Sequence, residues 1–208
     1  MTAAPAEFDR QLDHFVALGY PALAGSTEAD FRDRLAPLRD AVAARPDAEV
    51  VRHEDHIPFV LVPSGIPGEE AMARTALGKQ QGITVLDAEE LTTFRPIEGV
   101  DVPDGPGYLL FDIDTGTDFL NVTPQDALVK IAARDRSPLT IAEGIALITA
   151  RPDMLRKNKC FSLLASRCGD KRVPALWISQ RRPKLGWCWN GNPHTWLGSA
   201  SAGERIGL

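Results

Sequence analysis

The chain has 208 residues and a net charge of −5, with 44% hydrophobic and 25% charged residues. Those proportions exclude a disordered, collagen-like or disulfide-scaffold chain, and the length suits a single domain. No apolar run approaches the ~18 residues that a membrane-spanning helix needs. The acidic N-terminal stretch also lacks the basic flank of a signal peptide. Three cysteines at irregular spacing imply reduced thiols, so a cytoplasmic location is expected.

Phe8, Leu12, Phe15, Val16 and Leu18 recur near helical spacing over residues 6–19, and Gly19 and Pro21 end that helix. Ser26 and Thr27 open a second helix, with Asp30 placed for a cap and Phe31, Leu35, Leu38 and Val42 as its stripe. Pro37 predicts a kink or a stop near Ala36, and Pro46 ends the segment. Residues 57–63 read as a short apolar strand, 69–80 as a helix, 87–94 as a short helix or turn, and 101–107 as a turn. The best strand is YLLFDI, 108–113. Thr123-Pro124 with Asp126 starts one helix, and Thr140 with Glu143 forms the capping box of another. VPALWIS (173–179) and LGWCW (185–189) read as a β-hairpin with QRRPK as a basic tip. Alternation puts Leu185, Trp187 and Trp189 on one face and Cys188 on the other. The expected fold is α+β in one domain over 1–208. A helical hairpin (1–50) packs on a small mixed sheet, and the Trp-rich hairpin lies in the C-terminal half, with 108–208 as the candidate functional module.

Charge is uneven. Residues 151–184 hold ten basic side chains against Asp153 and Asp170, a net of +8, while the remainder has 13 basic and 26 acidic residues. All four tryptophans fall between Trp177 and Trp196. This split favours an anionic partner: a nucleotide, a phosphorylated metabolite or single-stranded nucleic acid. Arg167, Lys171, Arg172, Arg181, Arg182 and Lys184 supply the charge, Trp187 and Trp189 the stacking faces, and Asn192 a polar contact. A second reading is an enzyme. Cys168 in SRCGD has a cationic neighbour that would lower a thiol pKa, and His194 with Asp170 or Asn192 would complete a nucleophile–base arrangement. No cofactor is called for, although Cys160, Cys168, Cys188 and His194 are the residue types of a Cys₃His zinc site without its usual close spacing. A third reading is a regulatory interaction module whose acidic part masks the basic part.

The stretch LLFDIDTGTDF resembles the D-x-D-G-T phosphatase motif of the haloacid dehalogenase superfamily through Asp112 and Asp114, but Thr115 intrudes before Gly116. The strings SPLTIAEGIAL, SRCGD, RVPALWIS, PKLGWCW and NPHTWLGSAS resemble an actinobacterial family known only as a domain of unknown function. That resemblance runs from about Tyr108 to Leu208 and implies no activity.

Overall fold

The computed structural model describes residues 4–208. Helix α1 (Ala4–Ala17) buries Phe8, Leu12 and Phe15 on one stripe, and a left-handed Gly19 leads into α2 (Tyr20–Leu23). The Thr27 side chain accepts from the Asp30 amide at the start of α3 (Glu28–Leu35). Ala36 then separates α3 from α4 (Pro37–Ala43), as expected where a proline has no N–H to continue the ladder. Helix α1 packs on α4 and on strand β1 (His56–Pro63).

The middle of the chain supplies α5 (Gly68–Arg74), a small hairpin of β2 (Ala76–Leu77) and β3 (Gln80–Gln81), then β4 (Ile83–Thr84), α6 (Ala88–Thr93), β5 (Arg95–Pro96) and β6 (Gly107–Asp114). The helix expected over 69–80 is half as long. Thr75 turns extended while its hydroxyl donates to the Met72 carbonyl, and a left-handed Gly78 makes the hairpin turn. Gly82 is pressed against Met72 and Thr75, where no continuing helix would fit. Beyond β6 lie α7 (Pro124–Ala132), β7 (Ser137–Pro138), α8 (Ile141–Ala150), β8 (Cys160–Ser162), β9 (Ser166–Arg167), β10 (Arg172–Ser179), β11 (Arg182–Trp189), β12 (Leu197–Ser199), β13 (Ser201–Ala202) and β14 (Glu204–Ile206).

Two five-stranded sheets result, with two-stranded ribbons β2-β3 and β5-β9 beside them, so the fold is α+β with the N-terminal helices set before the sheets. One has the order β1-β6-β13-β7, antiparallel throughout, with β14 also paired to β6. The other has the order β12-β8-β10-β11-β4, with parallel pairs at its two ends. The Trp-rich hairpin is its centre, and its turn is tighter than expected. Only Gln180 and Arg181 form the loop, both at positive φ (51° and 63°), and Arg182 already pairs with Ser179. Helix α8 is buried at every residue except Ala142 and touches both β1 and β10.

Strand β1 is a sheet edge, and its outward groups are covered. The fully buried Gln11 accepts from the Leu61 amide at 2.8 Å and donates to the Phe59 carbonyl at 3.3 Å. One side chain from α1 thus occupies bonding positions that would otherwise recruit a foreign strand. The two sheets meet closely at Gly116 and Gly198. The Ser199 amide donates to the Gly116 carbonyl at 3.3 Å, and a Cβ on either glycine would fall on the backbone of the opposing segment.

Candidate functional site

A cavity of about 530 Å³ opens where the ends of β1 and β6 meet α5, α6 and α8. Its apolar wall includes Val62, Ile66, Leu91, Phe94, Ile145 and Ala146. The space exists because small residues stand where large ones would fill it: Gly65, Gly68, Ala71, Ala88, Ala142 and Ala146 all line it. Helix α6 forms one side and acts as a roof. Its Asp87–Glu90 capping box is complete, yet none of its residues is buried. Across the chain fold, Glu90 holds Arg172 of β10 at 2.8 Å, and the Arg172 guanidinium lies 5.8 Å from the ring centres of both Phe94 and Trp187.

The polar wall residues include Tyr20, Tyr108, Thr140 and Ser166. Tyr108 donates to Glu143 Oε1 at 3.0 Å. The Glu143 carboxylate has no solvent exposure and accepts from Arg205 Nε (2.6 Å), Arg205 Nη2 (2.9 Å) and the Thr140 amide (2.7 Å). Burial and the adjoining Glu143 charge push the Tyr108 hydroxyl well above the ordinary tyrosine range, so it keeps its proton. The capping box that marks α8 in the sequence is therefore also the anchor of a buried ion pair. Ser166 accepts from the Ile141 amide at 3.0 Å, completing the same helix start.

The residues singled out by sequence are spread more widely. Cys168 donates to Asp170 Oδ1 at 3.2 Å, while the His194 ring packs 5.2 Å from Trp196. Among the described residues no hydrogen bond joins Cys168 to His194. Their two turns do touch through Arg167, whose Nη2 donates to Asn190 Oδ1 at 3.3 Å. The zinc quartet is not gathered. Cys160 donates to the Arg156 carbonyl, and Cys188 sits 3.8 Å from the Ser162 hydroxyl. No group of three or more metal-ligating side chains occurs among the described residues. Burial raises the pKa of both Cys160 and Cys188.

The six cations divide between the two ends of the hairpin. The register runs from Arg172 opposite Trp189 to Ser179 opposite Arg182, roughly 23 Å along a strand. At the tip, Arg182 donates to Gln80 and Lys184 lies over Trp177, while Arg181 is in the turn. At the other end Arg172 is neutralised by Asp170 and Glu90. Acids from outside residues 151–184, Glu54 and Asp55 on Arg156 and Lys159 and Glu90 on Arg172, offset part of the +8 excess within the fold. Trp189 is 47% exposed beside Trp187, whereas Trp177, Trp187 and Trp196 are half-buried against the core. Lys171 and Asn192 are exposed on the same side as Trp189 and Asn190.

The phosphatase-like stretch is structural. Asp112 sits in β6 at φ 53°, and the Gly203 amide donates to both the Phe111 and Asp112 carbonyls. Its carboxylate accepts from Arg52 (2.7 Å), His56 Nε2 (2.9 Å) and Arg136 (2.5 Å). Burial works to raise its pKa, but these donors outweigh it and hold the group ionised. His56 Nδ1 already accepts the Arg52 amide, and burial lowers its pKa, so neither ring nitrogen is free to move a proton. Asp114 accepts from the Gly116 amide at 2.6 Å.

A model described as a family of unknown function, DUF5701, matches residues 14–208. The chain belongs to that family. The DUF5701 match extends well upstream of Tyr108, over the whole cavity wall. No curated protein and no solved structure matches the chain. Among the described residues of this DUF5701 chain, no helix is long and apolar enough to cross a membrane.

The sequence reading missed the cavity residues Tyr20, Tyr108 and Thr140, and met Ser166 only as the first residue of SRCGD. Two signals bore on them: the Gly- and Pro-rich loop SGIPG between β1 and α5, and the Thr140–Glu143 cap spacing.

Proposed function

We propose that the chain binds a small, mainly apolar molecule in the cavity beneath α6. The observation that carries this reading is the cavity itself: about 530 Å³, apolar-walled, with hydroxyls from separate elements converging on it. That volume is in the range that encloses drug-sized ligands, and such pockets use a few polar groups to fix orientation. A neutral environment-sensitive dye such as Nile red tests it. Saturable binding at one dye per chain is expected, with at least a tenfold loss of affinity in Ala146→Phe, whose ring occupies the cavity. Ala142→Trp at the exposed start of α8 blocks the mouth without entering the packed core. Undiminished binding in both folded variants would sink the reading.

A second reading keeps an anion on the basic half, narrowed to the corner at Arg167. Arg167 lies directly opposite Arg95 across β5 and β9, an arrangement that costs repulsion unless a counter-charge is supplied. Among the described residues its guanidinium reaches only the Ser166 carbonyl and Asn190, both at 3.3 Å, and burial lowers its pKa. A phosphate group would supply the missing charge. Phosphate is expected to raise Tm by several degrees over chloride at equal ionic strength, and Arg167→Gln to abolish that difference. Equal responses in wild type and variant would remove this site.

A further inference from the structure

The hydrogens of the cavity's phenols can be accounted for. Glu143 is held by Arg205 and the Thr140 amide on its two oxygens, so it can only accept from Tyr108, and the Tyr108 hydrogen is committed to it. Tyr20 faces Thr149 Oγ1 at 3.5 Å, while the Thr149 hydrogen goes to the Ile145 carbonyl at 2.7 Å. Tyr20 therefore commits its own hydrogen to Thr149. Neither phenol has a hydrogen left to give; the Tyr20 oxygen keeps its lone pairs, and the Tyr108 oxygen keeps one beside the neighbouring Thr140 hydroxyl. Thr140 Oγ1 accepts from the Glu143 amide at 3.3 Å, and Ser166 retains a hydrogen of its own after accepting from Ile141.

The charge of the wall points the same way. Glu69 and Glu70 line the cavity, and no Lys, Arg or His does so among the described residues. A carboxylate or phosphate entering here would pass two negative side chains and then meet phenol lone pairs, with the Ser166 hydroxyl as a neutral donor. An O–H or N–H group would meet an acceptor, and an alcohol could also accept from Ser166.

From this arrangement we infer that the cavity selects apolar molecules bearing an O–H or N–H donor and rejects anions of the same size. The inference rests on the cavity being a ligand site and adds the class of ligand. It also separates the two proposed sites by charge, since the Arg167 corner would take the anions that the cavity refuses.

Four probes of one size distinguish the outcomes on the full chain: 2-naphthol, 2-naphthylamine, 2-methoxynaphthalene and 2-naphthoate, titrated by calorimetry. Naphthol and naphthylamine are expected to bind at least tenfold more tightly than methoxynaphthalene, and naphthoate most weakly. In Tyr108→Phe, the ratio of naphthol to methoxynaphthalene affinity should fall to about twofold or less, with methoxynaphthalene itself little changed. If naphthol and methoxynaphthalene bind alike, or naphthoate binds best, the selectivity inference fails while the cavity stands as a site. If none of the four binds, the proposed function fails with it. Should Tyr108→Phe not fold, the ranking of the four probes on the unmodified chain decides.

Discussion

Replacing Glu143 by glutamine is expected to destabilise the protein by about 3–5 kcal/mol, the cost of breaking a fully buried ion pair. The carboxylate takes four donors and the pocket offers it no acceptor. A glutamine amide would turn its own N–H groups toward Arg205, the Thr140 amide or Tyr108. Arg205 would keep the Ser137 and Pro138 oxygens but lose its only carboxylate among the described residues. Thermal unfolding should show a fall in Tm of roughly 10 °C for a chain of this size. The double variant Glu143→Gln/Arg205→Met should recover more than half of that loss, because both ends of the pair are then uncharged. A Tm change within 2 °C for the single variant would show that the pair does not hold α8 to β14.

Gly116→Ala should be nearly as severe, at about 4 kcal/mol or more. Gly116 has φ 78°, which costs an alanine about 1–2 kcal/mol before any contact is counted. Its Cβ would also strike the Ser199 carbonyl, and backbone at a sheet junction has little room to retreat. Gly169 provides the control, since it has φ 86° and nothing within 4 Å of the Cβ position. Gly169→Ala should cost only the conformational share, so the difference between the two variants in urea denaturation reports the junction alone. Loss of soluble Gly116→Ala alongside a well-folded Gly169→Ala would agree with this. Equal costs would mean that the two sheets are not locked at this point.

Local signals in the sequence were good guides wherever a few neighbouring residues fix a structure. Thr27 with Asp30, Thr123 with Asp126 and Thr140 with Glu143 all cap helices as their spacing requires. Pro37 splits the second helix, and the Trp-rich hairpin forms with Trp187 and Trp189 in edge contact. The misread helix over 69–80 depended on Gly82 approaching Met72, a contact that no local pattern encodes. The cavity was invisible for a deeper reason. Its wall draws on segments from Tyr20 to Ser166, and its volume comes from side chains that are small. Deleting the N-terminal helices, which carry no obvious chemistry, would remove Tyr20 from that wall. Charge was legible as a count and not as a field. Arg156 meets Asp55 across 101 residues of sequence and Arg172 meets Glu90 across 82, and these pairings decide which cations stay free.

The fastening of α6 to Arg172 ties the two halves of the molecule into one thermodynamic system. A molecule lodged in the cavity presses on Leu91 and Phe94 and steadies the helix that carries Glu90. An anion on the basic end of the hairpin that also reached Arg172 would compete with Glu90 and slacken the same helix. Each occupant would then weaken the other, and the two effects would be equal in factor, because a coupling free energy belongs to the pair and not to either site. Titrating the cavity at rising phosphate and titrating phosphate at rising cavity occupancy should return one number, antagonistic in sign and reduced toward unity when Glu90 is replaced by glutamine.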